Sequence, residues 1–195
     1  RQHTQLGILS GRDVLFVERM STRDAVVNAT LIGGRIPLPL SSSGLVLLAH
    51  AGDDLLDEVA AIPWPHPTRF GVADDAALRD RVRRIRADGF AVLAGAIHED
   101  SRGIAVPVRG PHGVVYAALG VVVPNDDSAA GPFVELLTVA AAGVTRALED
   151  AYLPDGGVSP DAAAHGIQPL ISTSTATLEY FAARAPAAPD LRQLP

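Results

Sequence analysis

The chain has 195 residues, and 48% of them are hydrophobic, which is enough to build the core of one globular domain. It contains no cysteine, and this excludes disulfide bonds and thiolate metal sites. Its net charge is −6 and all sixteen basic residues are arginine, so the field of the protein repels a phosphate backbone and autonomous DNA binding is not expected.

Targeting signals are not apparent. The apolar run within 114–123 is shorter than the roughly 20 residues that a transmembrane helix needs, and no basic and apolar leader opens the chain. We therefore expect a cytoplasmic protein without membrane contact. The chain begins with Arg1 instead of Met, which suggests a piece of a longer protein.

The first elements in chain order are β-strands. Two β-rich runs within 6–20 are separated by the turn sequence SGRD, which is typical of a hairpin. Residues 25–31 are a third strand candidate, and the prolines within 36–40 indicate a loop because they cannot donate to a sheet. Three serines before the apolar run 45–49 indicate the start of a helix, since hydroxyls cap free backbone N–H groups.

A second helix is predicted from Asp74 to Asp88, after a proline-rich loop at 62–67 in which Trp64 would anchor the packing. Apolar residues recur there at helical spacing, and Gly89 is placed as a C-terminal stop. Five arginines between 79 and 86 are mixed with acids and lack interleaved aromatics, so they indicate a solvated helix face more than a nucleic-acid patch.

The next pattern predicts three strands and a long helix. Runs at 90–95 and 102–109 indicate strands, and the uninterrupted apolar run 114–123 indicates a strand in the centre of the sheet, covered on both faces. A helix is predicted over 129–150. Its expected buried face comprises Phe133, Leu136, Leu137, Ala140 and Val144.

This order of elements predicts an α+β domain with a mostly antiparallel sheet and helices on its faces. We place the domain at 1–152. Residues 153–195 are expected to be a linker and tail with at most one short helix, at 175–185.

Five segments of the chain form a pattern in a fixed order and spacing: QLGILSGRDVLFVER at 5–19, PLPLSSSG at 37–44, IRADGFAV at 85–92, GIAVPV at 103–108 and AALGVVVP at 117–124. Together they resemble the C-terminal effector-binding domain of IclR-family transcriptional regulators. The resemblance extends over residues 1 to about 150.

The resemblance implies a GAF-like (profilin-like) fold, a curved antiparallel sheet with a small-molecule pocket between sheet and loops. It also implies an effector that is often a small organic acid, a homodimer or tetramer, and DNA binding only through an N-terminal winged helix-turn-helix that this chain does not contain. No catalytic residue, metal or cofactor is implied.

The candidate effector site begins with Ser41, Ser42, Ser43 and Gly44. Free N–H groups and the positive dipole end of a helix suit a carboxylate, with hydroxyls beside them to donate. The alternative is that these serines only cap the helix, and the resemblance favours binding. It implies a far wall from the strand containing Gly103 and from two positions of the last strand, matched here by Gly120 and Val122.

Several details of the site depart from the family pattern or are weaker. Hydroxyl side chains are frequent in the family where Gly120 and Val122 stand, so a roomier and more apolar pocket, suited to an aromatic acid, is expected. Ala25 and Asn28 are further pocket-lining candidates. Arg102 could pair with an effector carboxylate, although a surface ion pair is the simpler expectation.

Two other functions stay open from the sequence. A small serine hydrolase would pair a serine of 41–43 with His98, although no nucleophile-elbow motif is present. A ligand-free GAF-like interaction module would show no enclosed pocket near Ser42. The sequence His98-Glu-Asp is expected to be an exposed loop and not a metal site, because three adjacent residues cannot converge on one ion.

Overall fold

The computed structural model describes residues 2–26, 30–110 and 113–152, and for 150–152 only the backbone. The tail at 153–195 and its short helix lie outside these residues and stay predictions. Six strands form one sheet in the order β3-β2-β1-β6-β5-β4, with every neighbouring pair antiparallel. They are β1 (His3–Ser10), β2 (Asp13–Ser21), β3 (Arg35–Pro37), β4 (Ala91–Ala94), β5 (Ser101–Arg109) and β6 (Val115–Pro124).

The strand β6 lies in the middle of the sheet, between β1 and β5, and both of its faces are buried. This confirms the prediction made from its uninterrupted apolar run. Side chains of a strand alternate between the two faces, so Ala118 faces one hydrophobic cluster while Leu119 faces another. The sheet therefore separates two layers of helices.

In the described part of the chain, four α-helices cover the two faces of the sheet. They are α1 (Ser42–His50), α2 (Asp53–Ala60), α3 (Asp75–Asp88) and α4 (Gly131–Tyr152). Residues of α1, α2 and α3 share one hydrophobic cluster with the inner face of the sheet, and residues of α4 belong to the cluster on the opposite face. The α+β class with helices on the faces of an antiparallel sheet is confirmed.

The helix α3 begins and ends as the sequence predicts. The side chain of Asp74 accepts a hydrogen bond from the N–H of Ala77, and Gly89 adopts the left-handed conformation that glycine tolerates best. Its arginines are engaged locally: Arg79 pairs with Asp75 and Asp57, Arg83 and Arg84 with Asp80, Arg86 with Asp53, and Arg81 donates to the carbonyl of Val92. These local partners agree with the solvated helix face that the mixture of acids and arginines predicts.

Two expectations for the N-terminal half are wrong. The described part of 25–31 contains no strand, and the third strand is Arg35–Pro37, which forms the edge of the sheet. Proline is tolerated there because an edge strand leaves one row of N–H groups unpaired. The helix α2 was not predicted. Acids dominate its short sequence, and only Leu56 and Val59 are buried.

The buried face of α4 agrees with the expected one at Phe133, Leu137 and Val144 but not at Leu136 and Ala140. Leu137 and Ala141 are buried, with Phe133 and Val144 partly buried, whereas Leu136 is 70% exposed and Ala140 is exposed. By length and composition alone, the segment Gly131–Glu149 is apolar enough to cross a membrane. In the structure it contacts the sheet through Leu137 and Ala141.

Candidate functional site

The N-terminus of α1 is built by a capping serine and a close backbone contact. Ser41 Oγ accepts a hydrogen bond of 3.0 Å from the N–H of Gly44. A Cβ on Gly44 would lie 2.3 Å from the carbonyl oxygen of Leu38, so only glycine lets the helix pack against the 3-10 turn Leu38–Leu40. The first turn of α1 is therefore held rigidly against the sheet.

A small cavity of about 40 Å³ lies beside this helix start. Its wall combines the capped helix tip, the inner face of the sheet and two loops. The lining residues are Gln5, Thr30, Leu40, Ser41, Ser42, Ile97, His98, Ser101, Gly103 and Val122. Polar groups from three parts of the chain therefore converge on one small cavity beside the helix start.

Two serines lie directly over two glycines of the sheet. A Cβ on Gly103 would be 2.7 Å from Ser42 Oγ, and a Cβ on Gly120 would be 2.9 Å from Ser43 Oγ. Ser42 is only 4% exposed and lines the cavity, whereas Ser43 is fully buried and its hydroxyl has no hydrogen-bond partner among the described residues. The expected room above Gly120 is therefore absent, because Ser43 fills it.

The structure brings only some of the predicted site residues to the cavity. Those that line it are Ser41, Ser42, Gly103 and Val122. Ser43, Gly44 and Gly120 are packed beside it without lining it, and Ala25 is not among its lining residues. Asn28 lies outside the described residues.

His98 lines the cavity although its position in a polar loop indicated an exposed residue. The N–H of Asp100 donates to His98 Nδ1 over 3.3 Å. A ring nitrogen that accepts a hydrogen bond carries no proton, so the neutral ring is protonated at Nε2. His98 can therefore act as a hydrogen-bond donor, and nothing in the local sequence signalled this.

Gln5 and Thr30 form a second polar group on the cavity wall. The Thr30 hydroxyl donates to Gln5 Oε1 over 2.7 Å, and both residues are buried. The sequence could have placed Gln5 on this face of the sheet. Side chains alternate along β1, and the next residue, Leu6, faces the hydrophobic cluster on the opposite face. Thr30 reaches the cavity from a loop, where no periodicity exists to place it.

Arg102 lies on the opposite side of β5 from Gly103 and does not line the cavity. Its guanidinium donates to the carbonyl of Asp126 and to the carbonyl and hydroxyl of Ser128, and it lies 3.8 Å from the Asp126 carboxylate. The side chain is only 10% exposed. Arg102 therefore anchors the loop between β6 and α4 instead of meeting a ligand in the cavity.

The geometry gives little support to catalysis. Ser42 and His98 both border the cavity, yet within the described ranges no hydrogen bond links a serine of 41–43 to His98. Nor do the described residues contain a cluster of three His, Asp or Glu side chains that could hold a metal ion.

A larger open cleft of about 530 Å³ lies elsewhere, between the β1–β2 turn, the end of α2 and the loop around Trp64. It shares no lining residue with the cavity. Trp64 donates from Nε1 to the carbonyl of Val72, which is the loop-anchoring role expected for it. The exposed Arg12–Glu58 ion pair on its rim is open to solvent, so this cleft lacks enclosed polar groups.

Comparison with known proteins places the chain in a family. The family model described as "Bacterial transcriptional regulator IclR C-terminal" matches residues 1–143. The chain is 31% identical over 118 residues to the Pca regulon regulatory protein of Pseudomonas putida, and 30% identical over 151 residues to the HTH-type transcriptional regulator XynR of Escherichia coli. These matches cover 60% and 75% of this chain, but only 40% and 60% of the two relatives.

Solved structures give the same result. An IclR homologue of Microbacterium hydrocarbonoxydans complexed with 4-hydroxybenzoate is 43% identical, with a TM-score of 0.72, over 75% of this chain and 60% of its own. The IclR protein of Thermotoga maritima is 18% identical, with a TM-score of 0.69 over 75% of this chain and 61% of its own, and therefore supports the fold alone. The chain belongs to the IclR family of bacterial transcriptional regulators, and residues 1–143 form the C-terminal domain of that family.

Proposed function

We propose that this domain is the effector sensor of its regulator and that it binds an aromatic carboxylic acid in the cavity beside α1. The carboxylate would lie at the helix start, near Ser41 and Ser42, where backbone N–H groups and the helix dipole favour an anion. The observation that carries the proposal is the Ser42 side chain, which is 4% exposed and lines the cavity. The homologue that holds 4-hydroxybenzoate supports an aromatic ligand by analogy.

Because the cavity is small, the ligand would bind only a conformation of the domain in which the cavity is larger. About 40 Å³ holds at most a few water molecules, whereas sites for small organic ligands span roughly 300–1,000 Å³. Thr30, Ile97 and His98 border the cavity from loops, and outward movement of these loops would enlarge it. The ligand would then favour an open arrangement over the closed one, which is the differential affinity that regulation requires.

The whole regulator would act through other parts of its chain. DNA binding would reside in a winged helix-turn-helix outside these residues, and a homodimer or tetramer would match the symmetry of two half-sites. The protein would work in the cytoplasm and would bind its effector without transforming it.

Calorimetric titration with 4-hydroxybenzoate tests the proposal, with 4-hydroxybenzamide as the neutral analogue and succinate as an aliphatic acid. We expect saturable binding of the aromatic acid, a matching rise in the melting temperature and at least about tenfold weaker binding of the amide, because the amide lacks the charge that the helix start favours. Equal affinity for acid and amide would contradict a carboxylate at the helix tip.

The second candidate is a GAF-like interaction module that binds no small molecule, and the small volume of the cavity favours it. A panel of aromatic and aliphatic acids that leaves both the melting temperature and the calorimetric signal unchanged would select this function over the sensor.

A further inference from the structure

The outer face of α4 is apolar and faces away from the sheet. Leu136 and Val139 are 70% and 72% exposed, and no other large hydrophobic side chain in the described part of the chain is more exposed. Leu137 and Ala141 already provide the contact with the sheet. The outer face is therefore a second apolar surface, separate from the one that contacts the sheet. Its exposure to water is unfavourable.

Charged and apolar residues are ordered along this face. Glu135, Val139, Ala142 and Arg146 follow one another at spacings of four, three and four residues, which is the spacing of a helix–helix packing stripe. All four residues are exposed. Neither Glu135 nor Arg146 forms an ion pair with another described residue.

We propose that a second copy of this chain packs on this face, with its α4 antiparallel to the first and a twofold axis between residues 140 and 141. In this register Glu135 lies opposite the partner's Arg146, and Val139 lies opposite the partner's Ala142. Each pair occurs twice because the interface is isologous. The pairing places a large side chain against a small one and a carboxylate against a guanidinium.

Charge decides between this arrangement and its alternatives. A parallel, in-register pair would place Glu135 against the partner's Glu135 and Arg146 against the partner's Arg146, and like charges in contact oppose association. A lipid occupant would have to accept Glu135 and Arg146 on the same apolar face, which is costly in hydrocarbon. The two charges are eleven residues apart, about 16 Å along the helix, so both pairs fit within the length of α4.

The outer face of α4 would be the subunit interface of the homo-oligomer proposed above, and this inference rests on that proposal. It does not depend on the effector, since the cavity is on the other face of the sheet. Binding of 4-hydroxybenzoate, measured on each variant below, therefore separates failure of the interface from failure of the sensor.

Sedimentation velocity of the full chain with charge-reversal variants tests the interface. Glu135→Arg and Arg146→Glu are each expected to weaken dimerisation by at least about tenfold, and the double variant is expected to recover most of it because the pairs re-form with opposite sign. Arg83→Glu, on the exposed side of α3, is the matched control and should dimerise normally. Equal weakening in the double variant and in the single variants would overturn the proposed register.

Cross-linking gives a second readout, because the chain has no cysteine of its own. The Val139→Cys variant should be joined into a dimer by a short bismaleimide, and the variant at the similarly exposed Met20, Met20→Cys, should not. Three results for the Val139→Cys variant would overturn the proposal: a monomer whose introduced thiol is freely labelled, a monomer that sediments with anionic lipid vesicles, and a monomer in which another part of the same chain protects that thiol.

Discussion

The hydroxyl of Ser43 occupies the space in which a side chain on Gly120 would lie. A Cβ at Gly120 would be 2.9 Å from Ser43 Oγ and 3.1 Å from the carbonyl oxygen of Ile104. Ser43 Oγ is buried and has no hydrogen-bond partner within the described part of the chain. Helix α1 can therefore approach β6 this closely only because one position is glycine and the other carries a small side chain.

This contact predicts a non-additive pair of substitutions. Gly120→Ala is expected to lower the free energy of unfolding by about 1–3 kcal/mol through overpacking, and Ser43→Ala to raise it by about 1 kcal/mol because an unsatisfied hydroxyl leaves the core. In the double variant the new methyl group takes the place of the lost hydroxyl. Its stability should therefore exceed the sum of the single effects.

Urea denaturation of the four proteins measures the coupling as a double-mutant cycle. Additive effects would show that the contact in solution is looser than the one described.

Ser42 and Ser43 are neighbours but should differ in effector binding. Ser42→Ala removes a hydroxyl that borders the cavity, so we expect the affinity for 4-hydroxybenzoate to fall about tenfold, the effect of one hydrogen bond to a charged group. Ser43→Ala is the matched control, because its hydroxyl does not line the cavity, and it should bind within about twofold of the unmodified chain. Calorimetric titration distinguishes the two, and a reversed order would place the ligand elsewhere.

Arg102 should matter for stability and not for effector affinity. Arg102→Ala removes several hydrogen bonds from a side chain that is only 10% exposed, and we expect a loss of about 2–3 kcal/mol in the free energy of unfolding. Arg83→Ala, at a side chain that is 71% exposed, should change it by less than about 0.5 kcal/mol. At temperatures below the melting transition, both variants should bind the effector with unchanged affinity. A loss of affinity in the Arg102 variant alone would contradict the position of Arg102 outside the cavity.

The stability of the domain should fall as the pH drops below 6.5, and His50 should contribute to this fall. Burial, and then the nearby Arg109 and Arg86, lower the pKa of His50 from its ordinary value of 6.5. Between the lowered pKa and 6.5 the unfolded chain binds a proton that the folded chain does not, so stability rises with pH in this window and is constant in this respect above it.

Chemical denaturation at a series of pH values checks the prediction. His50→Gln should flatten the slope just below 6.5, because the substituted side chain does not titrate. An unchanged slope in the His50 variant would show that other groups account for it.

The spacing of apolar residues was sufficient to predict the elements that bury a continuous apolar surface. β6 was predicted because its run is almost entirely apolar, and α3 because Leu78, Val82 and Ile85 follow a helical repeat between a capping aspartate and a terminal glycine. In α4 the same reasoning selected Phe133, Leu137 and Val144 correctly but added Leu136 and Ala140, which are exposed. That helix is apolar on two sides, and sequence alone does not tell which side meets the sheet.

The candidate site was predictable only where it coincides with a secondary-structure signal. The serines before α1 indicate a helix start, and in the structure Ser41 and Ser42 lie at the cavity wall. Thr30 and His98 reach the cavity from irregular segments, where three-dimensional folding decides the neighbours. The role of Gly120 was misjudged because a missing side chain can make room either for a ligand or for another residue, and here that residue is Ser43.

The consecutive positions of Arg102 and Gly103 have a mechanical consequence. Gly103 forms part of the cavity wall. The preceding residue, Arg102, lies on the opposite face of the sheet and holds the loop that leads into α4. If the proposed effector displaced this stretch of backbone, the displacement would reach that loop through the single peptide bond between Arg102 and Gly103. The cavity on one face of the sheet and the loop on the other would then be coupled through the backbone itself, without intervening side chains.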